Sequence, residues 1–333
     1  MSSTTQGADP ATLGNMDVRT RVGDRELSLS NLDKVLFPEA GWTKGEVINY
    51  YVQVAEVLLP HVSDRAVTRL RLPDGVGEDT PQFYEKNAPS GCPSWVPRRE
   101  VAVVDSSKPD GTISYVMVDA PATLVYLANL ASLELHVPQW RISSANPDEP
   151  ITLPGEQPDT NDPLADRIVV DCDPGEGITM VENARAAMIV GTELARDDLI
   201  AVPRTSGNKG LQVSAAIAPV DCETARHYVK ELATRLARRH PDLFVATMDK
   251  RLRKGRIFLD YNQNLAARNT VAPYSLRARP RPRVATPLTW DEVAAVDDPD
   301  ALRFSPEQVL ERVADHGDLA ADLLIEDPAP LPD

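Results

Sequence analysis

The chain has 333 residues, 42% of them hydrophobic, with 50 acidic against 35 basic side chains and a formal net charge of −15. No stretch approaches the ~18 consecutive apolar residues of a membrane span. The opening MSSTTQGADPATLGNM has neither the basic start nor the apolar core of a signal peptide, and three cysteines without a C-x-x-C spacing exclude a zinc ribbon.

Residues 1–24 therefore read as a flexible leader on a reduced, cytoplasmic chain. Residues 27–37 suggest a short strand, a turn and an apolar patch. Thr43 with Glu46 three positions later is a capping box. It opens an amphipathic helix whose stripe is Val47, Tyr50, Tyr51, Val54, Leu58 and Leu59. Residues 66–72 alternate as a strand with Arg69 and Arg71 on one face. Residues 101–104 and 113–118 predict a hairpin, and 120–135 a buried helix. A polar, proline-rich loop over about 143–166 is where two subdomains meet. Beyond it the order is strand 168–173, helix 179–195, strands 199–203 and 211–217, helix 222–239 and strand 257–260. An Arg/Pro-rich loop fills 264–283. A last helix is expected at 305–315, within an acidic segment, 291–333, whose tail is expected to lack order. This order predicts an α+β fold, two mixed or antiparallel sheets flanked by helices, with residues 25–290 as the catalytic unit.

The chemistry centres on IVVDCDPGEG, residues 168–177. In a strand, Asp171 and Asp173 share a face, where like charges repel and raise each other's pKa. Folding alone gives no reason for such a pair, but a bound divalent cation does. Asp260, closing a separate apolar strand, is a candidate third ligand. Oxygen ligands of this kind suit two Mg²⁺ or Mn²⁺ ions poised for in-line phosphoryl displacement. In RTSGNKGLQ, residues 204–212, glycines admit a phosphate to the backbone amides, Ser206 offers a hydroxyl and Lys209 a charge. The Walker pattern is absent. The plain alternatives are solvated acids and an ordinary surface turn. Charge is unevenly spread. Residues 250–283 hold ten basic side chains and one acid, whereas 291–333 hold thirteen acids and two arginines. The basic stripe is a footprint for polyphosphate.

The motifs VVDCDPGEG, TSGNKGL, FLDYNQN and APYSLRAR, in that order, resemble the bacterial primase-polymerases of the archaeo-eukaryotic primase superfamily, in particular the polymerase domain of ligase D from non-homologous end joining. NLDKVLFP, FYEK and LELHVPQWR fit the same pattern earlier, so the likeness runs over about residues 25–290. With no K-x-D-G adenylation motif and no nuclease module, the sequence is most like the stand-alone mycobacterial type associated with ligase C. The resemblance implies an archaeo-eukaryotic primase-like core. It implies template-directed nucleotidyl transfer by two Mn²⁺ or Mg²⁺ ions, with a preference for ribonucleotides, at short gaps or breaks in DNA under repair. Gapped or broken DNA, NTPs or dNTPs, and an ATP-dependent DNA ligase acting in trans are the implied partners, with the protein at the nucleoid and no membrane.

By matching motif, Asp171, Asp173 and Asp260 are the expected metal ligands and catalytic residues. Ser206, Lys209 and Arg277 are expected to hold the triphosphate, and His136, Arg253 and Gln263 to line the nucleotide pocket. Asn31, Lys34 and Lys44 match a pocket for a DNA 5′-phosphate, and Phe83 and Tyr84 match aromatics that pack on template bases. Two positions depart from the pattern. Gln212 stands where histidine is usual, so a nucleotide contact there loses its charge, and Leu70 replaces a frequent lysine. Two competing functions are a non-catalytic DNA-end-binding module and a haloacid-dehalogenase-type phosphatase. The phosphatase loop wants Thr or Val where Gly175 sits.

Overall fold

The computed structural model describes residues 17–105, 108–146, 151–153 and 162–332. The second half of the chain builds a five-stranded sheet in the order Ala201–Thr205, Leu211–Val220, Ala165–Pro174, Ile257–Asp260, Phe244–Val245. Neighbours are antiparallel except the last pair, which is parallel. Ala165–Pro174 is central, so its β-branched run is buried on both faces. Ile168, Val170 and Cys172 join one core with helices Met180–Arg196 and Cys222–Arg239. Both helices start at side-chain caps, Thr179 with Glu182 and Asp221 accepting from Thr224 N at 2.9 Å.

The first half builds a four-stranded antiparallel sheet, ordered Thr270–Val271, Ser132–Val137, Thr68–Arg71, Phe83–Glu85. Helices Lys44–Gln53, Ala55–Val62 and Pro121–Asn129 share its core. Thr270–Val271 belongs to the second half of the chain, which ties the sheets together. Arg204 makes the same link with its side chain, donating to Val271 O at 2.5 Å and Thr270 Oγ1 at 3.3 Å. The expected hairpin forms between Arg98–Asp105 and Lys108–Val116, with Ile151–Leu153 added in parallel. Two principal sheets flanked by helices bear out the expected fold class.

Three expectations need correction. The helix predicted over 120–135 ends at Asn129; Ala131 turns the chain with φ 59°, and Ser132–Val137 is a strand. This strand lies inside its sheet and is buried on both faces. Its Ser132, Glu134 and His136 do alternate with Leu133, Leu135 and Val137, but the apolar helix before it runs on with no Pro or Gly between, which carried the helical reading across. The leader gives way at Val18–Val22, which pairs antiparallel with Arg25–Leu29; its residues 1–16 lie outside the described residues. Nor does the acidic end hang free. Asp318 accepts from His61 Nε2 at 2.9 Å and from the Tyr274 hydroxyl at 2.8 Å, while Ala320 and Leu323 are buried. Two neutral donors and a few apolar anchors suffice to fold an acid-rich segment onto the core. Of the loop expected over 143–166, residues 147–150 and 154–161 lie outside the described residues.

Candidate active site

Asp171 and Asp260 face each other across neighbouring antiparallel strands, and Asp173 follows two residues along on the same face. The pairing continues outward: Asp171 is opposite Gln212, and Gln212 is opposite Arg204. Cross-strand partners share a face, so Arg204, Gln212, Asp171 and Asp260 form one row. Two fully buried asparagines fix the strand that carries it. Asn264 accepts from Val169 N and donates to Val169 O, both at 2.9 Å. Asn183 donates to Cys172 O at 2.9 Å and accepts from Leu211 N at 3.1 Å.

Burial and the neighbouring charge of Asp173 push Asp171 up to about 7, against a hydrogen bond from Gln212 and the more distant charge of Arg204. Burial and Asp260 raise Asp173 too, and the Arg253 guanidinium counters them. Such crowding of oxygen donors is what a hard divalent cation relieves. Among the described residues no three His, Cys, Asp or Glu side chains form a ready-made cage. Asp260 turns its oxygens to Asn262 N at 2.9 Å and Gln263 Nε2 at 3.0 Å. The donor set fits Mg²⁺ or Mn²⁺ in type and strand position.

Gln212 is only 4% exposed, and its Oε1 has no hydrogen-bond partner among the described residues. Expected at the nucleotide, it lies on the row between Arg204 and Asp171. The two-residue strand period decides this: position 212 already belongs to the ladder, past the end of the loop.

That loop closes on itself, with Ser206 N donating to Gly210 O at 2.9 Å. Ser206 Oγ accepts from Asn208 N and Gly210 N, both at 3.3 Å. Gly207 has φ +68°, and a Cβ there would lie 2.4 Å from Arg277 Cγ, so only glycine fits. Lys209 is exposed. Arg277 donates from Nη1 to Ser206 O at 2.9 Å, and its Nε lies 3.2 Å from Glu134 Oε1. Glu134, 3% exposed, also accepts from His136 Nε2 at 2.9 Å and Ala278 N at 2.8 Å. Burial alone would raise its pKa, but His136 and Arg277 hold the carboxyl below its ordinary value.

Tyr84 lies edge-on to His136 with centroids 5.3 Å apart, and its hydroxyl donates to Asn269. Phe83 instead carries the Arg71 guanidinium 4.9 Å from its ring centroid. Both rings are exposed, but as strand neighbours they point to opposite faces and do not make one platform. Arg253 packs 3.8 Å from the Phe258 ring centroid. The Asn31 turn (φ 52°) brings a second cationic cluster together: Lys34 N donates to Asn31 O at 3.0 Å and Lys44 N to Lys34 O at 2.8 Å. Lys34 pairs with Asp74 at 3.0 Å, and buried Lys44 donates to Asn129 O at 3.1 Å. Burial, then the charge of Lys34, lowers the Lys44 pKa.

Sequence reasoning missed Glu134, Arg204, Asn183 and Asn264. The L-E-L-H-V alternation carried a signal for Glu134 beside His136, hidden by the helical reading.

Acidic strand ends, a glycine-bearing loop and a bridging arginine on an α+β core define a nucleotidyltransferase domain. The family described as LigD, primase-polymerase domain matches residues 43–320. The chain is 41% identical over 296 residues to the multifunctional non-homologous end joining protein LigD of Mycolicibacterium smegmatis, covering 89% of this chain and 36% of that protein. To the bifunctional non-homologous end joining protein LigD of Bacillus subtilis it is 30% identical over 294 residues, covering 88% and 43%. The solved polymerase domain from Mycobacterium tuberculosis ligase D in complex with DNA matches with a TM-score of 0.79 at 40% identity, over 91% of this chain and 99% of that one. The chain belongs to the LigD primase-polymerase domain family, and spans less than half the length of these two LigD proteins. Neither the phosphatase nor the non-catalytic reading is favoured. A Cβ on Gly175 would sit 1.7 Å from Arg253 O, so the phosphatase loop's Thr or Val has no room.

Proposed function

We propose that this domain is a template-dependent primase-polymerase that adds nucleotides, preferentially ribonucleotides, at short gaps or breaks in DNA. The observation that carries the reading is the Arg204–Gln212–Asp171–Asp260 row with Asp173 beside it. Asp171, Asp173 and Asp260 would hold two Mn²⁺ or Mg²⁺ ions, which when bound supply Lewis acidity at the reacting phosphate. Ser206, Lys209 and Arg277 bind the triphosphate. His136, Arg253 and Gln263 line the nucleotide pocket, with Glu134 holding His136 and Arg277 in register. Gln212 and Arg204 orient Asp171 from the same sheet face. Phe83 and Tyr84 offer exposed rings to template bases, and the Asn31–Lys34–Lys44 cluster takes a 5′-phosphate, the two ammonium groups gaining a shared anion. The solved relative bound to DNA supports nucleic acid as the substrate. Residues 25–290 supply the catalytic unit, the C-terminal segment folds onto it, and an ATP-dependent DNA ligase in trans seals the product at the nucleoid.

The test is extension of a labelled primer across a short gap, with NTPs or dNTPs and with Mn²⁺, Mg²⁺ or chelator. Incorporation that needs metal and disappears in Asp260→Ala supports the reading. No incorporation on any primed template, or incorporation in chelator, refutes it.

A further inference from the structure

Beside the Ser206–Gly210 loop lies a cavity of about 210 Å³ that contains none of the carboxylates, His136 or Arg277. Gly207–Lys209 form one wall, Arg279 and Arg283 a second, and Leu302–Phe304 of the C-terminal segment a third. Lys209, Arg279 and Arg283 have no acidic partner at ion-pair distance among the described residues, and no carboxylate lines the cavity. Arg283 donates only a long 3.4 Å bond, to Arg303 O, and buried Arg279 Nε finds no acceptor. Two part-buried arginines beside an exposed lysine, crowded without a counter-charge, are costly unless an anion joins them. The third wall is held firmly. Leu302 takes φ 60°, a strained value for a bulky residue, and Phe304 packs into the core with the Arg312 guanidinium 4.7 Å from its ring centroid.

We propose that this cavity is a second anion site, and that its ligand is inorganic pyrophosphate, the group released when a 3′-hydroxyl oxygen displaces it from the α-phosphorus of a nucleoside triphosphate. The choice of ligand rests on the polymerase reading. Position favours it over a nucleic-acid backbone, since the cavity is small and walled on three sides. Asn208, Lys209 and Arg303 also line a neighbouring cleft of about 450 Å³ that runs along Pro174–Met180, directly after Asp173. That cleft also carries Glu176 and Asp300, the latter paired with Arg303 at 2.7 Å, so among the described residues Lys209 is its one cation without an acidic partner at ion-pair distance and stands between the end of the carboxylate strand and the cavity.

Calorimetric titration of the full chain with inorganic pyrophosphate, with and without saturating non-hydrolysable nucleoside triphosphate, tests the site. Binding should survive the nucleotide through Arg279 and Arg283, weakened by no more than the contact of Lys209, which the triphosphate shares. Arg283→Gln should weaken it ~tenfold, as expected for losing one charge-assisted contact, and shift the KM for nucleotide by less than about twofold. Arg303→Gln, an exposed position on the opposite wall, gives a second variant should Arg283→Gln melt early. Full displacement of pyrophosphate by nucleotide, or unchanged pyrophosphate affinity in both variants, overturns the site. A chain that binds pyrophosphate this way yet extends no primer retains the site and loses the polymerase reading.

Discussion

Glu134→Gln is the sharpest probe of how the two sheets are joined around His136 and Arg277. The carboxylate is buried and holds three groups: His136 at 2.9 Å, Ala278 N at 2.8 Å and the Arg277 guanidinium at 3.2 Å. Glutamine keeps the shape and one acceptor oxygen, so the Ala278 bond survives, but its NH₂ faces a donor. Hydrogen bonds to charged groups contribute about 1.5–3 kcal/mol each, against ~1 kcal/mol for neutral ones. Losing one charged bond and weakening another should cost about 3 kcal/mol, lowering Tm by roughly 6–12 °C at the ~2–4 °C per kcal/mol expected of larger domains. The effect must depend on pH. Because the folded carboxyl sits below its ordinary value of about 4.5, its stabilisation is complete above that value and lost as pH falls through the lower folded one. Melting of both proteins from pH 7 to pH 3.5, followed by circular dichroism, should show a gap that closes only below pH 4.5. A gap under about 2 °C at pH 7 on the same scale, or one that widens on acidification, refutes the assigned role.

Asp171→Ala and Asp260→Ala should each abolish primer extension while fluorescence anisotropy still reports binding to gapped DNA; appreciable extension by either removes the metal-ligand assignment. Lys34→Ala combined with Lys44→Ala should erase any preference for a 5′-phosphorylated gap, read as a ratio of dissociation constants at fixed salt. A preference that persists shows the phosphate sits elsewhere. Gln212→Leu removes a neighbour of Asp171, so the metal concentration for half-maximal activity should rise about tenfold with the KM for nucleotide little changed; the opposite pattern would return Gln212 to the nucleotide. Asn264→Ala leaves the Val169 N–H and C=O unpaired in the core and should cost roughly 3 kcal/mol in urea unfolding. A loss under about 1 kcal/mol would show the strand holds its place unaided.

What was legible in the sequence followed local rules. The capping box at Thr43–Glu46, the Pro-Gly that follows Asp173 and the helices at 179–195 and 222–239 each depend on residues a few positions apart. The carboxylate triad belonged to this class, since an apolar strand ending in Asp announces a side chain at a sheet's rim. Hidden features were those whose meaning is cross-strand. Nothing near Arg204 says that its neighbour is Gln212, or that Asn264 will pair with a backbone 95 residues away. Ser132–Val137 was misread because the apolar run of Pro121–Asn129 leads into it with no Pro or Gly break, and its own alternation of polar and apolar residues is short.

The basic stripe read over 250–283 divides in the structure into two kinds of charge with different work. Lys250, Arg268 and Arg281 are exposed, and such charges attract a polyanion from a distance, an effect salt screens. Arg277 is turned inward and tied to Glu134 of one sheet and Ser206 of the other, while Arg204, outside the stripe and absent from any charge count of it, ties Val271 to the carboxylate row. These two cations are bridges between sheets. The Ser206–Gly210 loop and the Asp171–Asp260 pair are thereby fixed to the sheet that carries His136 and Tyr84, so loss of either bridge would disturb the carboxylates and His136 together, whereas loss of an exposed lysine would change only the long-range attraction for a polyanion.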